Sequence, residues 1–155
     1  THKNSLLGYA TPGTSNNNAT ETKLASFKIS GGTIGANGLV RVLSVWEKAV
    51  AVVNNGNIKV YLNSADAIGG VALSSQSMPT TTIYAMIQSI FLNFGNQAIQ
   101  KVGVNSVSGY STATTVNTGA IDTSADSWIV FTGWVNIAGG EVVILDNYFI
   151  ELLIL

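Results

Sequence analysis

Residues 128–135 read Trp128-Ile129-Val130-Phe131-Thr132-Gly133-Trp134-Val135. This is a strand sequence, and consecutive side chains of a strand point to opposite faces. One face carries Trp128, Val130 and Trp134; the other carries Ile129, Phe131 and Val135. Both are apolar, whereas a sandwich strand normally turns a polar face to solvent. One set must fill the core and the other must meet something outside its own sandwich. Trp128, Phe131 and Trp134 are therefore the candidate subunit-interface residues, and the sequence does not say which set faces outward.

The same pattern recurs on either side. Leu39–Trp46 is apolar on both faces, broken by Arg41 and Ser44. Val142–Leu155 is a long strand whose apolar end, Tyr148–Leu155, is interrupted by Glu151. Ala25, Phe27 and Ile29 alternate with Ser26 and Lys28, and Ile58, Val60 and Leu62 alternate with Lys59 and Tyr61. Both are period-two strands. Gln97–Val104 is a further strand. Turns fall at Gly31-Gly32, at Asn37-Gly38, at Asn54-Asn55-Gly56-Asn57 and at Ala138-Gly139-Gly140. Thr80–Phe94 is ambiguous. Ile83, Met86, Ile87, Ile90, Phe91 and Phe94 fit a helical stripe, yet Thr80-Thr81-Thr82 and the Ile and Phe content favour strand, which is the reading adopted. Short strands separated by Gly and Asn predict an all-β fold, an antiparallel sandwich or barrel. Residues 1–21 are polar, with Pro12, Gly13 and Asn16-Asn17-Asn18, and read as an arm; residues 22–155 form a single domain.

The low charge points to burial against other subunits, the alternative being a surface solvated by Ser, Thr and Asn. Only 10% of the 155 residues are Asp, Glu, Lys or Arg, against about 25% in soluble domains, while 46% are hydrophobic. The net charge is −1. There are no cysteines, so no disulfide staples the fold. No apolar run approaches the roughly 18 residues of a membrane span. No basic stretch followed by an apolar one opens the chain, which starts at Thr1 rather than Met and so leaves room for residues upstream.

Chemistry is sparse. The one histidine, His2, lies in the arm and cannot build a nucleophile–base pair. No zinc ligand set, cofactor site or phosphate loop is present, and seven scattered basic residues make no nucleic-acid footprint. Asp122 and Asp126 lie close together; turn chemistry is the expectation, ahead of a calcium corner or half of a glycosidase pair. Trp46, Trp128 and Trp134, with Tyr84 and Tyr110, could form sugar-stacking platforms, but Trp in apolar strands more often packs in a core or interface. Asn18-Ala19-Thr20 matches a glycosylation sequon by chance. The chain reads as a structural or binding module, not an enzyme.

The succession Leu24–Ile29, Thr33–Gly38, Arg41–Trp46, Ile58–Leu62, Asn93–Gln97, Ile121–Asp126 and Tyr148–Leu152 resembles small virion modules of tailed bacteriophages, of the tail-fibre or capsid-decoration type. The resemblance implies a jelly-roll-like sandwich, a homotrimer, a place in the virion and other virion proteins as partners. It carries over no functional residue. The alternative is a carbohydrate-binding module for a host surface glycan, with Tyr110, Asn105 and Asn117 in loops.

Overall fold

The computed structural model describes residues 3–49, 54–102, 117–138 and 140–154. They are all-β. In chain order the strands are β1 (Lys3–Ala10), β2 (Thr14–Asn16), β3 (Thr22–Ile29), β4 (Leu39–Ala49), β5 (Gly56–Asn63) and β6 (Val71–Met78). Then come β7 (Tyr84–Asn93), β8 (Gln100–Val102), β9 (Asn117–Gly119), β10 (Ser127–Val135) and β11 (Val142–Ile154). A seven-stranded sheet runs β1-β11-β4-β7-β8-β9, with β2 also pairing β11; a four-stranded sheet runs β3-β10-β5-β6. All pairings are antiparallel.

The pairings nest. β5 pairs β6, β4 pairs β7, β3 pairs β10, and β1 and β2 pair β11. This is one long hairpin folded back on itself, and rolling it adds the β4–β11 and β5–β10 pairs. The result is a jelly roll. β8 and β9 form an extra hairpin beside β7.

The core lies between the sheets. Trp46, Phe131, Tyr148 and Phe27 form its aromatic chain, with Phe131 stacked on Tyr148 at 4.5 Å between centroids. The buried Trp46 indole donates to Ser44 Oγ at 2.8 Å, so the Ser that interrupts β4 satisfies the Trp beside it. Gly133 takes an inner position where the sheets approach closely. A Cβ there would lie 2.9 Å from Val143 Cγ1 and 3.1 Å from Leu24 Cδ1.

Several expectations change. Residues 3–10 and 14–16, expected in an arm, are strands on the edge of the seven-stranded sheet. Leu7 and Ala10 pack on the core, and the buried Asn16 amide donates to Gly133 O at 2.9 Å. Alternation over so short a segment was masked by its polar surroundings. The turn expected at Asn37-Gly38 places its left-handed backbone earlier, at Gly32 and Gly35, with φ of 76° and 70°. It joins strands of different sheets, as does the β10–β11 connection, so neither is a hairpin. Thr80–Phe94 holds β7, in which Ile87, Ser89, Phe91 and Asn93 face inward. The helical stripe was two interleaved period-two sets, one on each face.

Both ends of the sandwich are tied by buried polar groups. At one, Asn93 Nδ2 donates to Thr123 Oγ1 and to Gly35 O, and Gln100 Nε2 donates to Asn93 Oδ1, Gln97 O and Ile121 O. At the other, the Lys48 ammonium, almost fully buried, donates to Asn54 O, Pro79 O and Thr80 O at 2.8–3.0 Å. Three carbonyls replace the water that the cation gives up.

Candidate assembly face

β10 was expected to need cover on its outer face, and the chain supplies that cover itself. Its register places Ile129, Phe131, Gly133 and Val135 opposite the inward Leu62, Val60, Ile58 and Gly56 of β5. Phe131 is therefore a core residue, fully buried in its own chain, which corrects its place among the interface candidates. Trp128, Val130, Thr132 and Trp134 face outward. The β5–β6 loop folds back across them: Asp66 reaches over β10 to β3, where its carboxylate pairs with Lys23 Nζ at 2.9 Å and its carbonyl accepts from the same ammonium. Val130 beneath it is fully buried. Lys28 lies over the Trp128 ring at 5.7 Å and pairs with Asp126, while Lys59 lies over Trp134 at 5.0 Å and over Tyr61 at 5.7 Å. Trp128 and Trp134 are left half-buried under lysines.

Glu21 closes this network. One carboxylate oxygen accepts from Tyr61 OH at 2.8 Å and Thr132 Oγ1 at 2.7 Å, and the other faces Lys59 Nζ at 3.3 Å. Burial pushes the carboxyl pKa up, but the hydrogen bonds and the Lys59 charge outweigh it and hold the group below its ordinary value. Lys23, Lys28 and Lys59 thus meet Asp66, Asp126 and Glu21 on or beside one outer face.

The outer face of the seven-stranded sheet is its opposite. The registers give two rows that cross four strands, Tyr9–Phe149–Leu43–Gln88 and Leu6–Glu151–Arg41–Ile90, and two that cross three, Leu153–Leu39–Leu92 and Asn147–Val45–Met86. Tyr84 and Met86 are 65% and 63% exposed, Leu6 62% and Tyr9 55%. Tyr9 and Phe149 rings lie 4.8 Å apart. Charge enters at the Arg41–Glu151 pair, where Arg41 Nε and Nη2 both donate to Glu151 Oε2, with Glu47 and the bulge residue Asp146 farther along. Beside this pair a depression of about 260 Å³ is lined by Arg41, Leu43, Gln88, Phe149 and Glu151.

Four strands at about 4.8 Å spacing, over β4 from Leu39 to Glu47 at about 3.3 Å per residue, give a footprint on the order of 500 Å². A patch of that size is at the upper end for the surface of a monomer. The signal for it in the sequence was the two-sided apolarity of Leu39–Trp46 and Tyr148–Leu155. Tyr84 and Met86 had no such signal, because their segment reads as helix-like.

The carboxylates weighed for catalysis are both engaged. Asp122 Oδ1 accepts from the Ser124 amide and hydroxyl at 2.9 and 2.6 Å, an Asx turn. Asp126 pairs with Lys28 and accepts from the Gly31 amide at 3.0 Å. The Ser124 hydroxyl holds Asp122, and Lys28 holds Asp126, below the ordinary carboxylate range, whereas a glycosidase acid needs a raised pKa. Among the described residues no group of three or more His, Cys, Asp or Glu could hold a metal. His2, Asn105 and Tyr110 lie outside the described residues, and Asn117 begins β9.

No protein-family model and no curated protein matches the chain. Solved structures share the fold. Dimeric latent PorU from Porphyromonas gingivalis matches at TM-score 0.51 and 7% identity over 98% of this chain and 13% of that one. The insecticidal delta-endotoxin Cry8Ea1 from Bacillus thuringiensis matches at 0.46 and 10%, over 88% of this chain and 18% of that one. The chain thus spans less than a fifth of either. The CBM2 module of the evolved Dit of Lactobacillus casei BL23 phage J-1 matches at 0.36 and 11% over 81% and 67%. At 7% identity, the first of these is a likeness of fold alone.

Proposed function

We propose that the chain is a structural module of a virus particle that works by assembling with copies of itself and with other particle proteins. The observation that carries the assembly reading is the contrast between the two outer faces. One is wrapped by a loop, three lysines and three acids; the other leaves Leu6, Tyr9, Tyr84 and Met86 open to water. Burying apolar area stabilises an association at about 25 cal/mol per Å² before association costs. The place in a virion, of the tail-fibre or capsid-decoration type, rests on the resemblance of the strand-and-turn succession to tailed-bacteriophage modules, which also implies three copies. The test is the mass in solution together with a search for the chain in purified particles from its source. A mass above 16.2 kDa and its recovery in particles are expected. A monomer absent from particles contradicts the proposal.

Carbohydrate recognition is the second reading. In its favour is the depression where Phe149 offers a ring between the polar ends of Arg41, Gln88 and Glu151. Against a role for Trp128 and Trp134 in sugar stacking, lysines lie over their rings. A glycan array without a hit on the assembled protein removes this reading.

A further inference from the structure

We infer that the outer face of the seven-stranded sheet binds the same face of a second copy, about a two-fold axis that runs along the strands midway between β4 and β11. This pairing rests on the assembly reading and specifies its contact. Such an axis exchanges β4 of one copy with β11 of the other, and β7 with β1. The rows of the face then dictate the contacts. Phe149 of each copy lies over Leu43 of the other, Leu6 over Ile90, and Leu153 over Leu39.

The Arg41–Glu151 row favours this arrangement. Arg41 and Glu151 are cross-strand partners on the two strands that the axis exchanges. Glu151 of one copy therefore falls over Arg41 of the other, and the reverse. Two ion pairs close into a ring of alternating sign instead of opposing like charges. An occupant of other sequence would have to supply that alternation; a second copy has it already. Tyr9 comes over Gln88, so the aromatic half of the face meets the half that carries Gln88, Ile90 and Met86.

Area agrees. The footprint of roughly 500 Å², enlarged by side chains that stand out of the sheet plane, approaches the about 800 Å² per partner of a stable interface. A single continuous face that complements itself closes with two copies, since an isologous contact uses the same patch on both. Three copies, as the resemblance implies, would require two different contact patches on each.

The test uses the full chain and charge reversal. Sedimentation of the wild type should give twice the chain mass of 16.2 kDa. Arg41→Glu alone places four carboxylates in the ring, and Glu151→Arg alone places four guanidinium groups there, so each should sediment as one chain. Mixed in equal amounts, they should return to two chains, because every contact across the axis becomes Glu on Arg. Leu43→Lys, on the outer face and clear of the core, should also give a single chain with unchanged far-UV circular dichroism, a readout that does not depend on the ion pair. A mixture that stays at one chain, or single variants that stay paired, overturns this contact while leaving assembly through another surface in place. A wild type of three chains overturns the two-fold closure alone. A wild type that stays at one chain overturns both the contact and the assembly reading.

Discussion

Glu21 shows how a residue from a segment read as polar arm becomes part of the folded domain. Its carboxylate gathers Tyr61, Thr132 and Lys59 on the outer side of the four-stranded sheet. Its folded pKa lies below the ordinary 4.5, so the stability it contributes is full above that value and is lost as pH falls through the lower folded one. Thermal melting of wild type and Glu21→Gln should therefore differ most above the ordinary carboxylate range and converge as the pH falls through the lowered folded pKa of Glu21. A difference independent of pH would mean that the charge of Glu21 is not what holds the network. Nothing in the sequence marked this residue, because its partners lie 38 to 111 positions away. Asp122 was legible for the opposite reason. Its partner Ser124 is two residues on, and local side-chain to backbone bonding follows from residue type alone.

Among the elements, strands with clean alternation were readable and strands at the periphery were not. β5, and β3 from Ala25 on, follow their period of two, and β10 kept its limits to within a residue of Trp128–Val135. β1 and β2 were not readable, since an edge strand half open to solvent needs few apolar residues. Their removal is the test of their place. Deleting residues 1–20 takes away Leu7 and Ala10 from the core margin, the Asn16 bond to Gly133 O, and the partner of one edge of β11. We expect a loss of at least about 3 kcal/mol, seen in calorimetry as a Tm lower by roughly 10 °C. An unchanged Tm would make this edge an accessory. The two-sided apolarity of β10 was real, but its cover could not be foreseen. It depends on a loop from the β5–β6 turn that crosses a strand to reach β3, a contact with no local signature.

For the molecule as a whole, composition announced the outcome and topology located it. A chain with 10% charged residues has few charges to divide between two outer faces. The jelly roll puts the Lys23, Lys28 and Lys59 ion pairs on or beside the four-stranded sheet and leaves the outer face of the seven-stranded sheet with the Arg41–Glu151 pair, Glu47, Asp146 and Lys101 amid Leu, Val, Ile, Met and Tyr. The sequence points to β10 because both of its faces are apolar. The structure shows that Trp faces can be satisfied by lysine stems, whereas among the described residues no lysine lies over an aromatic ring of β4, β7 or β11. The chain's two methionines allow this to be measured. Met78 is buried in the core and Met86 is 63% exposed on the face proposed to be covered. Peroxide oxidation followed by mass spectrometry, over a dilution series, reports the solvent access of each. The account predicts that Met86 is protected in concentrated protein and becomes reactive on dilution, while Met78 stays slow throughout. Met86 oxidised at one fast rate at every concentration would contradict it.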